Sequence, residues 1–176
     1  MINAKKLDNA LYSYLDKNIA NIPKRFKKLI AMFYTDARIR KKYLYELGVD
    51  MGEGTLSNIG LTVIPNSNPI CVHIGKNVSI APYVTFVCSS HANNGKAINE
   101  IEYVKKKLSK DGDIIVEDEV WIGANVTILP GVRIGNLSVI GAGSVVTQNT
   151  DPHSVYAGVP ARKIRDLYDE EIKHDQ

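Results

Sequence analysis

Six Val or Ile residues recur at a strict spacing of six: Val116, Ile122, Ile128, Ile134, Ile140 and Val146. A helix repeats its apolar face about every 3.6 residues and a strand about every two, so neither element accounts for the run. Fixed self-similarity of this kind marks a solenoid, whose coils are too thin to hold a core and bury their aliphatics by stacking on the next coil. The preceding places, Val120, Val126, Val132, Ser138 and Ser144, are small, which suits a narrow interior of alternating large and small inward residues. Gly123, Gly135 and Gly141 are expected to permit the corners. Ile74, Ile80 and Phe86 carry the same pattern earlier, so the repeat breaks once and resumes. Val-rich strands of a sandwich would not produce a spacing of six.

A chain of 176 residues holds one domain with modest additions at its ends, and a short solenoid needs its flanks covered. Residues 1–48 read as a helical N-terminal segment. Leu7, Leu11, Tyr14, Leu15 and Ile19 share one helical face that ends before Pro23; a second helix runs from Lys24 through Phe33; a third, capped by Thr35, stops at Gly48. The basic residues Lys24, Arg25, Lys27, Lys28, Arg38, Arg40, Lys41 and Lys42 read as a solvated helix face, with an anionic lipid or polysaccharide surface as the alternative. The solenoid spans 49–161, with a loop excursion at 88–113 that is too long for a corner and has the character of a functional loop. Residues 162–176 read as a helix closing the other end.

The net charge of +3, mixed through the chain, gives no electrostatic footprint for nucleic acid. No run has the length of a membrane span, and the first residues lack a signal-peptide pattern. Cys71 and Cys88 lack CxxC spacing, which fits reduced thiols and a cytoplasmic address.

The ordered set Trp121-Ile-Gly-Ala, Ile128-Leu-Pro-Gly-Val-Arg-Ile-Gly, Val139-Ile-Gly-Ala-Gly-Ser-Val-Val-Thr and Ala157-Gly-Val-Pro-Ala-Arg resembles the hexapeptide-repeat acyltransferases. Within them it is most similar to the maltose and galactoside O-acetyltransferases, over about residues 58–165. The resemblance implies an all-β solenoid wound as a left-handed parallel β-helix, with helical N-terminal and short C-terminal caps. It also implies acetyl-CoA as donor, a sugar or glycan acceptor, and a homotrimer with active sites at subunit interfaces. The acceptor-binding N-terminal signature of those enzymes is not recognisable here, and residues 48–58 look too short for their first coil. An amino-sugar N-acetyltransferase and a non-catalytic scaffold solenoid are the alternatives; a serine acetyltransferase would need a longer helical N-terminal domain.

Acetyl transfer to a hydroxyl needs a base, and histidine titrates nearest neutrality. His91 opens the excursion, between a rigid face and a loop, and the resemblance aligns it with the catalytic histidine. His73 precedes it by eighteen residues, one expected coil, which would stack the two at one corner. A metal would want at least three protein ligands, so none is expected and His73 reads as a surface corner residue. By resemblance, Asn58 in Asn58-Ile-Gly-Leu-Thr-Val presents an amide to the acceptor or the oxyanion. Trp121 should point outward and line the acceptor and acyl site. The resemblance sets backbone amides near Ala124, Ala142 and Gly143 along the pantetheine arm, Thr147 as a hydroxyl contact, and Arg162 and Arg165 beside the nucleotide phosphates. Gln148 stands where relatives usually carry Lys. Cys88 has no flanking base and reads as an inert buried thiol.

Overall fold

The computed structural model describes residues 3–168. Three helices come first: α1 (Ala4–Lys17), α2 (Lys24–Phe33) and α3 (Ala37–Tyr45). A 3-10 turn at Ile19–Asn21 separates the first two, so α1 ends earlier than its apolar spacing predicts. Asp36, not Thr35, caps α3 by accepting from the Arg38 amide at 2.8 Å.

From Val49 the chain visits three parallel sheets in turn. The first sheet stacks β1 (Val49–Met51), β4 (Val72–Ile74), β9 (Ile114–Val116) and β12 (Arg133–Ile134). The second stacks β2 (Leu56–Ser57), β5 (Ser79–Ile80), β10 (Trp121–Ile122), β13 (Val139–Ile140) and β15 (Ser154–Ala157). The third stacks β3 (Thr62–Ile64), β6 (Thr85–Val87), β11 (Thr127–Ile128) and β14 (Val145–Val146). Arg133 pairs with Ile115, Trp121 with Val139 and Thr127 with Val145, in each case eighteen residues apart. Three hexads therefore make one coil. Residues 49–57 already form two sides of a first coil, so this stretch is long enough after all.

The sixth-place aliphatics form continuous inward columns. Ile128 lies between Phe86 and Val146, and Ile122 between Ile80 and Ile140, all fully or nearly fully buried. Burying one such side chain contributes about 1.5–3 kcal/mol. Gly123 and Gly135 are needed for a reason other than backbone freedom at the corners. A Cβ on Gly123 would sit 2.6 Å from the Ala142 nitrogen, and one on Gly135 2.6 Å from the Pro152 nitrogen. The left-handed backbone falls two residues later, on Asn77, Glu119 and Leu137 at the first corner and on Tyr83, Asn125 and Gly143 at the second.

His73 is mid-strand in β4, between Asp50 and Ile115, and not at a corner. Between β6 and β9 lies the excursion, so the step from that coil to the next is not eighteen residues. A two-stranded antiparallel stem, β7 (Ser89–Ser90) with β8 (Lys110–Asp111), carries a short helix α4 (Ala97–Glu100) and a wide turn at Val104–Leu108.

The expected C-terminal helix from Arg162 is instead a strand, β16 (Arg162–Asp166), antiparallel to β15; residues 169–176 of that expectation lie outside the described residues. Without it β15 would present an open row of amides and carbonyls, and pairing them outweighs the weak helix preference of so short a segment. Ser154 Oγ donates to Asp166 at 2.9 Å and closes the far end of the pair.

The basic run is not a solvated face throughout. Arg40 is buried, and its guanidinium donates to the Tyr34 and Thr35 carbonyls at 2.5 and 2.8 Å and to the Ser57 carbonyl. Burial lowers its pKa, with partial compensation from Asp36. Lys41 reaches the Gly52 carbonyl, Lys42 pairs with Asp16, and Lys27 pairs with Glu46. Arg40 and Lys41 thus tie α3 to the first coil, while Lys42 and Lys27 tie α3 to α1 and α2.

Ile128→Asp places an unpaired carboxylate between two coils and is expected to unfold the chain, whereas Arg133→Asp loses only a half-exposed pair with Glu117 and should cost about 1 kcal/mol or less in urea denaturation. Equal tolerance of the two would refute the stacking register. Arg40→Leu strands three carbonyls and is expected to destabilise by about 2–4 kcal/mol, against about 0.5 kcal/mol for the exposed Arg38→Leu, by the same measurement.

Candidate active site

The excursion exists because β6 leaves the third sheet at Val87 and the chain re-enters the first at Ile114. Cys88 N–H donates to Ile64 O at 2.8 Å and Gly112 N–H to Cys88 O at 3.0 Å, which pins both ends of the loop to the coil. His91 follows directly on the stem, and Asp111 returns on the opposite strand. Their side chains meet, with His91 Nε2 2.9 Å from Asp111 Oδ2. Both are substantially exposed, at 37% and 55% of the side chain. Hydrogen bonds from Ser89 first, then from His91, hold the Asp111 carboxyl below the usual carboxylate range. A carboxylate kept ionised beside an imidazole orients the ring and stabilises its protonated form. With Nε2 engaged, Nδ1 is the nitrogen left for a substrate. Asp111 was not singled out from sequence, because twenty residues separate it from His91 and only the stem joins them. The signal was that the two ends of an excursion must come back together.

At the excursion's base, Asp113 accepts from Asn66 and Asn68 at 2.8 and 2.9 Å, and these amides lower its pKa. This fixes the loop's return leg to the corner of the first coil. Cys71 and Cys88 are free and buried, and burial raises the Cys88 thiol well above its ordinary value. A thiol so held is a poor nucleophile.

The remaining sequence-picked residues fall elsewhere. Asn58 is exposed at the corner between the second and third sheets, where its side-chain oxygen accepts from the Ile59 amide at 2.8 Å and its amide hydrogens remain as donors. Ala124 lies on that same corner two coils further along, and Ala142 and Gly143 three coils further along. The Gly143 amide donates to the Ala124 carbonyl at 2.8 Å. A Cβ on Gly143 would meet nothing within 4 Å, so the corner is open above it. Trp121 is in strand β10, not in a turn, with 59% of its surface exposed.

Arg162 and Arg165 are three apart, which on a regular strand would send them to opposite faces. The register shift at Val155/Tyr156 prevents this: Arg165 pairs with Val155 and Arg162 with Ala157, which share one face of β15. Val155 continues the outward row of Trp121 and Val139. Both arginines thus flank the row that carries Trp121. Arg162 also donates to the Ala161 carbonyl at 2.9 Å.

The structure therefore makes two groups. Asn58, Trp121, Ala124, Ala142, Gly143, Arg162 and Arg165 occupy the second sheet and its corner with the third, while His91 and Thr147 stand beyond the third sheet, on its far corner. A three-residue strand and its turns separate them, roughly 10 Å of strand rise.

A parallel coil of stacked hexads, three to a turn, is the architecture of the transferases built on hexapeptide repeats. The bacterial transferase hexapeptide model (six repeats) matches residues 113–148. The galactoside O-acetyltransferase of Escherichia coli (strain K12) is 34% identical, over 93% of this chain and 78% of that protein. A hexapeptide-repeat acetyltransferase from Vibrio cholerae O1 biovar eltor, solved with acetyl coenzyme A, is 27% identical with a TM-score of 0.63, over 96% of this chain and 92% of that one. A galactoside acetyltransferase solved with coenzyme A is 26% identical with a TM-score of 0.58, over 90% and 85%. The chain belongs to the hexapeptide-repeat acetyltransferases, in the branch of the galactoside O-acetyltransferases. It is an acyltransferase.

Proposed function

We propose that the chain transfers the acetyl group of acetyl-CoA to a hydroxyl of a sugar or glycan by direct attack, with His91 as general base. The observation that carries the reading is the 2.9 Å contact of His91 with Asp111 at the mouth of the excursion. The E. coli relative acts on galactosides, and two structural neighbours were solved with acetyl-CoA or CoA, which supports the donor and the acceptor class.

The acceptor hydroxyl loses its proton to His91 Nδ1 as its oxygen attacks the thioester carbonyl. Asp111 stabilises the imidazolium that forms, and the Asn58 amide is a donor for the oxyanion or for the acceptor. Collapse of the tetrahedral intermediate breaks the carbon–sulfur bond, and the departing thiolate takes the proton back from His91. A base must come within hydrogen-bonding distance of the proton it removes. His91 and the edge bearing Asn58, Trp121, Ala124, Ala142, Arg162 and Arg165 lie on different corners, so the complete site is formed by the edge of one copy and the excursion of the next. A homotrimer of left-handed β-helices, as the resemblance implies, supplies that closure. The exposed Trp121, Phe26, Leu29 and Phe33 support such an assembly, since an isolated chain would leave them in water. No helix among the described residues is long and apolar enough to cross a membrane, and two reduced buried thiols accord with the cytoplasm.

His91→Ala is expected to lower turnover about a hundred-fold or more with the fold intact, and Asp111→Asn to lower it less while leaving the Michaelis constant for acetyl-CoA unchanged. Full activity of a folded His91→Ala protein, in a transfer screen over sugars and amino sugars, would refute the base assignment; acetylation of amines alone would redirect the acceptor. Changing Arg162 and Arg165 together to Ala should raise the Michaelis constant for acetyl-CoA and not that for the acceptor, with a smaller effect at high salt. An equal response of both substrates, or of neither, would remove these arginines from the donor site.

A further inference from the structure

Between α2, α3 and the first coil lies a cleft of about 440 Å³ that the acetyl-transfer reading leaves unused. This is the size range of small-molecule sites. Its accessible apolar wall comes from Met32, Leu47, Pro65 and Pro69 over a floor of the buried Leu44, Leu61 and Val63, and its rim on α2 carries Lys24 and Lys28. The opposite rim is the corner segment 65–69, held rigid by the hydrogen bonds of Asn66 and Asn68 to Asp113.

The charges at this cleft do not balance. Lys24 and Lys28 are exposed, one helical turn apart, and among the described residues neither has an ion pair. Like charges at that spacing repel. Glu46, the acid that lines the cleft, is committed to Lys27 at 2.6 Å. Asp113 does not line the cleft and forms no ion pair with either lysine. An apolar recess beneath two uncompensated ammonium groups is complementary to a molecule with an aliphatic body and an anionic head. Acetyl-CoA does not meet that description here, because its expected arginines are on β16, at the other end of the stacked coils.

We propose that this cleft binds a small amphipathic anion, an aliphatic body ending in a phosphate or carboxylate, with the head between Lys24 and Lys28 and the body on Met32, Leu47, Pro65 and Pro69. The ligand is a free molecule and not a membrane lipid, since the apolar wall is recessed between the helices and the coil. The rim segment's bond to Asp113 makes the cleft contiguous with the root of the His91 excursion, so occupancy is positioned to stiffen or shift that loop.

The test is titration calorimetry on the full chain with octyl phosphate, against octyl glucoside as the neutral probe of equal chain length, both below micelle formation. Octyl phosphate is expected to bind, octyl glucoside to bind at least about ten-fold more weakly, and Lys24→Glu with Lys28→Glu to remove that preference. Both substitutions are at exposed helix positions and should leave the fold intact. Absence of octyl phosphate binding to the unaltered chain, equal affinity for the two probes, or unchanged affinity in the double variant would each overturn the proposal. Co-sedimentation with phosphatidylglycerol vesicles that the double variant abolishes would overturn the free-ligand assignment. His91→Ala should bind octyl phosphate normally, so the cleft and the catalytic reading stand or fall separately.

Discussion

Aliphatic side chains stacked along columns, coil upon coil, are the interaction from which the rest of this molecule follows. Phe86, Ile128 and Val146 form one such column and Ile80, Ile122 and Ile140 another, and each member is held by neighbours in adjacent coils. No coil has a core of its own, so removing one contact loosens two layers. The spacing between coils is the spacing between paired strands, about 4.8 Å. That tight pitch explains the glycines at Gly123 and Gly135, where any side-chain carbon would strike the backbone of the next layer. It also leaves the outward places and the corner tips free to vary, which is where the chemistry gathers.

A stack of this kind has two raw ends, and the chain treats them differently. At the start, Arg40, Lys41 and Lys42 reach from α3 to carbonyls of the first coil and to Asp16 on α1, so cations on a helix act as connectors. Arg40 serves three carbonyls from a buried position, an arrangement suited to guanidinium's fixed fan of donors. At the finish, β16 folds back on β15 and pairs the strand that ends the parallel stack of the second sheet. The same antiparallel return, with its bulge, aligns Arg162 and Arg165 on one face.

The proposed catalytic pair sits at the corner with the longest departure from the period; the first coil-to-coil step is 23 residues and the last 16, but neither carries such a stem. A corner of regular length has no room to bring a histidine and a carboxylate face to face, whereas the stem of the excursion brings His91, directly after one strand, against Asp111 on the other. The separation of this pair from the edge with Asn58, Trp121 and the arginines is imposed by the triangular path of the coil. A single chain cannot fold one corner onto another without breaking the stacked columns, and in the reading proposed above the joining of the two halves falls to neighbouring copies. The cleft under the first coil lies outside that division, against the helices.

The sequence by itself determined the solenoid, its six-residue period, and the break between Phe86 and Val116, because a period of six is a direct image of inward-facing positions; that three hexads close one coil is fixed by the strand pairing. It also determined that His91 stands at the break and that Trp121 faces outward. Only the tertiary structure decided that Arg40 is buried, that residues from Arg162 form a strand, that Asp111 meets His91, and that the Gly143 amide donates to the Ala124 carbonyl. These depend on what lies beside a residue in space: an open sheet edge, an opposing stem strand, a carbonyl one coil away. Stacking along the columns repeats in the sequence and can be read there, whereas pairing across corners, edges and helices happens once each and leaves no period.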